Sequence, residues 1–433
     1  MRRIRGIWSA RLISLLAGSL LVACAEEDAG PQFASDPRPT RAATEAVGQA
    51  TPAFLPTAAV PGTPAPIATP ASLTDLLAVR GAASRVFVAP GDSVWSISSD
   101  GEAARLFQAP EGSSIRAIDP SPGAQQVAIL LETGVGAQAS LEVVVLDASG
   151  QELTRVTDVG EVGSTPAAGA NSRLQSIDWS PQGDRVLVSL SSGEIVDIVV
   201  QEGSTAEIYE VTGVPGAVID PSWSPTGETI AFISHNEAGQ ARSLWILDIG
   251  QDNASAVITP IEGRLVVDFA WMPNGISLLF TEGGEPGRAA TGIDLWRVDA
   301  SGENRKLVVS AGTVAPVARI TNLSPSPDGR SVAYTVLVPG SNGPLVDSVW
   351  VRELETGVGF RIPLPSVAAV ENIWWTDEGL VLSVVTYGTM DGRPPALALL
   401  QLKKDGSIAA LWAAPVAVGT PVSGTSAATP ANR

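Results

Sequence analysis

The sequence predicts an all-β fold of the β-propeller type, built from four-stranded antiparallel sheets. A strand–turn–strand motif, with Gly and usually Pro in its turn, recurs six times. Each copy is followed by a second hairpin that often carries Trp in its first strand and Asp and Gly in its turn. Successive copies are 44 to 59 residues apart, the repeat length of propeller blades. The six copies are anchored at Ser121, Ser180, Ser224, Met272, Ser326 and Thr376.

Seven blades are predicted over residues 72–412. The second hairpin occurs seven times, and its earliest copy, at Trp95, has no clear first hairpin before it. We predict a degenerate partner there, with a strand over 74–79, a turn over 80–84 and a strand over 85–90. A six-bladed ring with an odd terminal hairpin is the alternative. Two separate β-sandwiches are a further alternative, but they do not predict a steady step near 50 residues.

The turn Ser326-Pro327-Asp328-Gly329 shows how the motif reverses the chain. Pro presets φ at the first corner, Asp or Asn tolerates the second corner, and Gly supplies a positive φ. The strand after each turn is apolar or alternating, as strands with one or two buried faces are. The Trp residues before the turns are predicted to pack between blades, with an aromatic platform for sugars as the alternative. They are Trp179, Trp223, Trp271 and Trp375.

The N-terminus has the layout of a secretory signal, with four arginines followed by an apolar run over 12–22. The run ends in Leu21-Val22-Ala23-Cys24, and Cys24 is the only cysteine of the 433 residues. This motif resembles the lipobox of bacterial lipoproteins. The resemblance implies cleavage between Ala23 and Cys24 and acylation of the Cys24 thiol. An ordinary signal peptide or an N-terminal membrane helix is the alternative, although a spanning helix needs about 20 apolar residues.

Four segments follow from these patterns. Residues 1–23 are the predicted signal peptide, and 24–71 form a Pro-, Ala- and Thr-rich tether with no apolar periodicity, which is typical of disorder. Residues 72–412 form the propeller, and 413–433 form a disordered tail of similar composition. The predicted location is therefore outside the cytoplasm, with the chain held on the cell membrane, or on an outer membrane where one exists, by its lipid.

The composition narrows the possible partners. With 27 Lys and Arg against 45 Asp and Glu, the net charge of −18 disfavours nucleic acid and direct adsorption on anionic lipid. The membrane is therefore expected to be contacted only through the lipid anchor. The expected partner is an unidentified envelope protein, and the chain is expected to be monomeric.

No catalytic constellation stands out in the sequence. The single histidine, His235, has no nucleophile motif beside it and is interpreted as a solvated loop residue. One His and one acylated Cys make a zinc site improbable, so no metal and no cofactor are expected. An Asp/Glu pair acting on a sugar stays an open alternative, but no particular pair stands out. The chain is therefore predicted not to be an enzyme.

Long loops predict the recognition surface. The connections between the second and third strands of each blade, and one between blades, are long, whereas the other turns are tight. The long segments span 131–140, 158–173, 235–242, 282–293, 338–347 and 386–395. Arginine and tyrosine are favoured interface anchors. The predicted contacts are Arg242, Arg288, Tyr387 and Arg393. Unconstrained drift of loop sequence is the alternative.

The repeat resembles the WD40-like units of the TolB family and the propeller of LpqB-type lipoproteins, most closely at Ser326-Pro327-Asp328-Gly329. The resemblance covers most of 72–412 and implies the fold and a role in the cell envelope. It leads to the prediction of a non-catalytic, membrane-anchored module that binds protein. A carbohydrate-binding or carbohydrate-active propeller is the alternative, and a peptidase propeller that lost its catalytic half is a third possibility.

Overall fold

The structure is a computed structural model. It describes residues 72–79, 83–134, 139–161, 176–190, 194–200, 204–209, 214, 217–235, 242–249, 254–260, 264–284, 292–314, 318–340, 343–364, 367–386 and 396–415. The predicted signal peptide and tether, including Ala23 and Cys24, lie outside these ranges.

Antiparallel sheets account for almost all of the described residues. In the first four sheets the strands pair in chain order. The first sheet contains β1 (Arg85–Val88), β2 (Ser93–Ser98) and β3 (Ala103–Gln108). The second contains β4 (Ser113–Pro120), β5 (Gln126–Thr133), β6 (Ser140–Asp147) and β7 (Glu152–Glu161). The third contains β8 (Ile177–Trp179), β9 (Arg185–Ser189), β10 (Ile195–Val199) and β11 (Ser204–Tyr209). The fourth contains β12 (Ala217–Trp223), β13 (Thr229–His235), β14 (Arg242–Asp248) and β15 (Ala254–Ile258).

The remaining strands follow the same plan. The fifth sheet contains β16 (Arg264–Trp271), β17 (Ser277–Gly284), β18 (Ile293–Asp299) and β19 (Lys306–Val309). The sixth contains β20 (Arg319–Pro325), β21 (Ser331–Gly340), β22 (Gly343–Glu353) and β23 (Gly359–Pro363). The seventh contains β24 (Val367–Thr376), β25 (Gly379–Thr386), β26 (Ala396–Lys403) and β27 (Ile408–Pro415). The two short helices are α1 (Leu73–Leu77) and α2 (Ala311–Val314).

The predicted all-β fold of four-stranded antiparallel sheets is confirmed. The fifth and sixth sheets are joined edge to edge by one parallel pair, Ile293 with Arg319, and we treat them as two sheets. In the described part of the chain, six sheets have four strands and the first has three. The number of blades stays a prediction, because a six-bladed and a seven-bladed ring differ in how this incomplete sheet is counted.

The core lies between the faces of successive sheets. Seven clusters of buried apolar side chains occur in the described ranges, and each joins two neighbouring sheets. The last cluster packs Val86 and Ile97 of the first sheet against Trp374 and Leu399 of the seventh. Because each sheet is buried on both faces, its strands need nearly continuous apolar runs, as the sequence shows.

The recurring turn has the conformation that its sequence predicts. Its Gly has a positive φ in every copy, from +67° at Gly275 to +126° at Gly379. The anchor residue adds a hydrogen bond that the sequence did not reveal. The buried Oγ of Ser121 accepts from the backbone N–H of Gln126, five residues later, and Ser180, Ser224 and Ser326 do the same. A small hydroxyl is favoured there because it closes the turn without leaving its own oxygen unpaired.

The predicted strand over 74–79 is wrong, because residues 73–77 form helix α1. The segment begins with a capping box in which Ser72 and Asp75 each accept the other's backbone N–H. Leu76 and Leu77 are buried in the cluster between the sixth and seventh sheets. The predicted strand that follows is found as β1.

One predicted loop is shorter than expected. Within 338–347, residues 338–340 belong to β21 and 343–347 to β22, and Gly340 pairs with Gly343. The residues flanking a two-residue turn can continue the ladder, so Gly and Pro near a turn do not require a long loop. His235 ends strand β13 and pairs with Arg242, so its backbone is not in a loop. Strand β27 continues to Pro415, three residues beyond the predicted end of the propeller.

Neither α1, with five residues, nor α2, with four, is long enough to cross a membrane, and these are the helices of the described ranges.

Candidate functional site

The sheets have two kinds of edge. We call the edge with the turns between first and second strands, and between third and fourth strands, the turn face. The opposite edge, where second strands lead to third strands and one sheet leads to the next, is the loop face. Arg242 is the first residue of β14 and lies at the loop face, half-buried. Arg288, Tyr387 and Arg393 lie outside the described residues, so the structure does not test whether the four side chains come together.

An arginine–carboxylate network crosses the fifth sheet. Arg264 and Glu282 lie near its loop face, whereas Arg305 lies in the turn between β18 and β19 and reaches Glu282 with its side chain. The carboxylate of Glu282 is 2% exposed and is ion-paired with Arg264, whose Nε is 3.3 Å from Oε2, and with Arg305. The guanidinium of Arg305 also stacks over the Trp296 ring at 4.2 Å. Arg264 extends further to Asp294, with 3.6 Å between Nη2 and Oδ2. The two arginines are thereby held in place while 26% and 32% of their side chains stay exposed.

The second sheet repeats this arrangement. Both Nε and Nη2 of Arg116 lie 2.7 Å from Oε2 of Glu132. The Arg116 side chain is 21% exposed and that of Glu132 only 5%. Such a pairing fixes the arginine before any partner arrives, which reduces the entropy lost on binding.

Aspartate side chains on the first strands form hydrogen bonds with the first strand of a neighbouring sheet. Oδ2 of Asp119 on β4 accepts the backbone N–H of Trp179 on β8 at 2.9 Å. Oδ2 of Asp178 on β8 accepts the N–H of Trp223 on β12 at 2.8 Å. The same bond recurs where Asp268 on β16 accepts the N–H of Leu323 on β20, at 3.2 Å.

The indole N–H groups of the repeated Trp residues also form hydrogen bonds between neighbouring sheets. Nε1 of Trp179, Trp271 and Trp375 each donates to a backbone carbonyl of the preceding sheet. These rings and that of Trp223 are buried, which confirms the prediction that they pack between sheets. Because their faces are covered, they do not provide the aromatic platform for sugars that was the alternative.

A small cleft lies beside Asp119 and Asp178 at the turn face. It has a volume of about 30 Å³, room for about one or two water molecules. Its walls come from the turns of the second, third and fourth sheets. They are formed by Asp119, Pro120, Pro122, Asp178, Trp179, Pro181, Ser222, Trp223, Ser224 and Pro225. Two polar atoms of these walls have no hydrogen-bond partner, Oδ1 of Asp119 and Nε1 of Trp223.

The two carboxyl groups of the cleft are perturbed by their surroundings. Burial, and then the neighbouring charge of Asp178, raises the pKa of Asp119 well above its usual value. Burial raises the pKa of Asp178 to about 7, while hydrogen bonds from the Trp223 N–H and the Ser222 hydroxyl act to lower it. At neutral pH the pair therefore holds a proton, and the two groups titrate as one system.

Asp119 and Asp178 were not among the site residues predicted from the sequence. The pattern that could have indicated them is the repeated Ile-Asp dipeptide, Ile118-Asp119 and Ile177-Asp178, which places an acid inside an apolar strand just before the turn. No cluster of three or more His, Cys, Asp or Glu residues that could hold a metal occurs in the described part of the chain.

The similarities between this chain and known proteins are similarities of three-dimensional structure. No protein-family model matches the sequence, and no curated protein matches it. A prolyl endopeptidase structure aligns with 79% of this chain at 13% identity and a TM-score of 0.50. This chain covers 51% of that protein, about half its length. The chain has a β-propeller fold.

Two further solved structures align with about three quarters of this chain. The oligogalacturonate lyase of Vibrio parahaemolyticus aligns with 76% of this propeller chain and 86% of its own, at 11% identity and a TM-score of 0.49. TolB of Acinetobacter baumannii aligns with 75% of this chain and 77% of its own, at 14% identity and a TM-score of 0.41. Identities this low say nothing about the function of this chain.

The prediction that the chain is not an enzyme is wrong. It rested on the absence of a recognisable catalytic constellation in the sequence, whereas a solved structure similar to this chain is that of a prolyl endopeptidase. Propellers also occur in proteins that are not enzymes, so the fold decides neither outcome.

Proposed function

We propose that this propeller binds a protein of the cell envelope through its loop face and that a lipid on Cys24 holds it at a membrane. The observation that carries the binding proposal is the pair of arginines near the loop face, Arg116 and Arg264. Each is fixed by a nearly buried carboxylate and still presents a fifth to a quarter of its side chain to solvent.

Arginines held in this way suit protein recognition for two reasons. Arginine is enriched among the residues that contribute most to interfaces, since one side chain supplies apolar contact and several donors. A side chain that is already fixed loses little rotamer entropy when a partner binds. Arg242 lies at the same face, and the proposal extends to Arg288, Tyr387 and Arg393 in the predicted loops.

The loop-face proposal predicts where a partner can be cross-linked. We expect a photo-reactive residue at position 242, 288 or 387 of the full chain, in the cells that make it, to trap one envelope protein. The matched positions on the turn face, Asp328 and Glu378, are exposed and should trap none. The products would be identified by mass spectrometry.

The affinity of the trapped partner gives a second measurement. Replacing Arg242, Arg288, Tyr387 and Arg393 together with Ala should weaken binding at least about tenfold, the effect of losing one interface anchor. Arg330→Ala, which removes a half-exposed arginine from the turn face, should leave it unchanged. Cross-links from the turn face alone, or equal affinity of the fourfold variant and the parent, would refute the proposed surface.

The anchoring proposal is tested separately. We expect Cys24→Ser to move the chain from the membrane fraction to the soluble extracytoplasmic fraction, because the serine cannot carry the thioether-linked lipid. The parent chain should incorporate radiolabelled fatty acid and the variant should not. Unlabelled parent protein, or a variant that stays on the membrane after a high-salt wash, would contradict lipidation at Cys24.

A further inference from the structure

The cleft beside Asp119 and Asp178 has the properties of a site for a cation. Asp119 is 1% exposed and Asp178 6%. One carboxylate oxygen of each accepts a hydrogen bond from a backbone N–H of the next sheet. Neither has a Lys or Arg within ion-pair distance in the described part of the chain. Oδ1 of Asp119 is left as an acceptor at the cleft with nothing to donate to it.

The second unpartnered atom of the cleft is a donor. Nε1 of Trp223 has no acceptor, whereas the equivalent atoms of Trp179, Trp271 and Trp375 all bond to a carbonyl of the preceding sheet. A buried indole N–H without a partner is costly, and such atoms are rare in folded proteins. Two residues that line the cleft therefore each carry one buried polar atom, an acceptor on Asp119 and a donor on Trp223, that the protein itself does not satisfy.

Other charged groups near the cleft have their own partners. Arg185 lies against the Trp223 ring at 5.9 Å, but its guanidinium is ion-paired with Asp197 at 2.7 Å. Asp184 in the neighbouring turn accepts from the hydroxyl of Ser180. Asp220, on β12, is the remaining acid on the first strands that line the cleft, and it is half-buried.

The walls and size of the cleft select the kind of cation. Pro120, Pro122, Pro181 and Pro225 and the two indoles give it apolar sides, which suit an aliphatic stem. A volume of about 30 Å³ accepts an ammonium group more readily than a planar guanidinium. Two carboxylates without a third ligand make a poor site for a divalent metal.

We propose that this cleft binds a primary ammonium group on an aliphatic chain, as a lysine side chain of another polypeptide carries. The ammonium donates to Oδ1 of Asp119, and the indole N–H of Trp223 donates to a carbonyl oxygen of the same ligand. The site lies on the turn face, so it is independent of the protein-binding surface proposed above.

Binding of the ammonium displaces the proton that the two carboxyl groups hold. Affinity therefore rises from pH 6 to pH 8 as the pair gives up this proton, because burial raises the pKa of both carboxyl groups and that of Asp178 to about 7. The lysine amine stays protonated over that range, because its own pKa is about 10.4. We expect tighter binding at pH 8 than at pH 6.

The test titrates the full chain with Nα-acetyl-lysine N-methylamide. We expect a saturable shift of the indole N–H resonance of Trp223, assigned through Trp223→Phe. The same compound acetylated on Nε, which lacks the charge, should give no saturable shift, and the arginine analogue should bind more weakly than lysine.

Two matched variants complete the test. Asp119→Asn keeps an oxygen for the Trp179 N–H but removes the charge, so binding should fall at least tenfold. Asp268→Asn changes the equivalent carboxylate away from the cleft and should bind like the parent. If Asp119→Asn fails to fold, Trp223→Phe serves instead and should weaken binding, measured by isothermal titration calorimetry because this variant lacks the Trp223 resonance. Equal binding of the Nε-acetylated compound, unchanged binding to the cleft variants, or affinity that does not rise with pH would overturn the proposal.

Discussion

Gly379→Ala is expected to lower the free energy of unfolding by about 3–5 kcal/mol, the upper end of single-substitution effects. Gly379 opens strand β25 at a φ of +126°, a conformation that residues with a Cβ rarely adopt. A Cβ built there would stand 2.2 Å from the carbonyl oxygen of Leu402 on β26. The clashing oxygen belongs to the backbone, so rotating a side chain cannot relieve the clash. The pairing of β25 with β26 must therefore shift.

Gly123→Ala is the matched control for this substitution. Gly123 occupies the same turn in the second sheet at a φ of +79°, and nothing lies within 4 Å of the position of its Cβ. It should therefore cost only the left-handed backbone conformation, about 1–2 kcal/mol. Urea unfolding of both variants, followed by far-UV circular dichroism, measures the difference. Equal losses would show that the close approach to Leu402 is relieved at no cost.

The repeated turns were predictable because their chemistry is local. Pro, Asp or Asn, and Gly act within four residues, so the turn at 326–329 and its equivalents could be predicted from the sequence, and strands follow each of them. The clash at Gly379 was not predictable, because Leu402 is brought to it only by strand pairing. The six copies of the motif therefore predict the sheets. They do not show at which turn glycine an added Cβ would clash with a neighbouring strand.

Helix α1 and the hairpin over 338–347 were missed because several local signals competed. Leu76 and Leu77 are compatible with a strand, and the capping box of Ser72 and Asp75 was the feature that decided for a helix. In the hairpin, Gly and Pro indicated a loop, whereas pairing of Leu337 with Val346 keeps the strands together. Tertiary contacts of this kind are not visible in a repeat pattern.

The acid pair was missed for a different reason. Asp119 and Asp178 are 59 positions apart, and the sequence places each before a turn, where Asp is ordinarily solvated. Their burial arises only because the first strands of neighbouring sheets, β4, β8 and β12, lie next to one another near the turn face. The loop-face residues Arg116 and Glu132 were also missed, since a salt bridge between neighbouring strands depends on their register.

Asp178→Asn is expected to raise the free energy of unfolding at pH 8 by about 2–4 kcal/mol, the linkage value of a pKa raised from 3.8 to about 7. The folded state binds more protons than the unfolded state between about pH 4 and pH 7. The stability of the parent protein therefore falls as the pH rises through this window. Asn still accepts the N–H of Trp223 and cannot ionise, so the variant should lose the part of this dependence that Asp178 contributes, while the buried Asp119 keeps its own.

Urea unfolding at pH 5, 6, 7 and 8 tests the linkage. Asp405→Asn is the control, because Asp405 is exposed and a hydrogen bond from the Ser407 hydroxyl, followed by one from its backbone N–H, lowers its pKa. Its own contribution to stability is present above its unfolded pKa and is lost only as the pH falls below about 4. Asp405→Asn should therefore shift the stability equally at all four pH values, whereas Asp178→Asn should change the slope. A parent protein whose stability is constant from pH 5 to pH 8 would show that the buried pair is ionised throughout, because water or a bound cation reaches it.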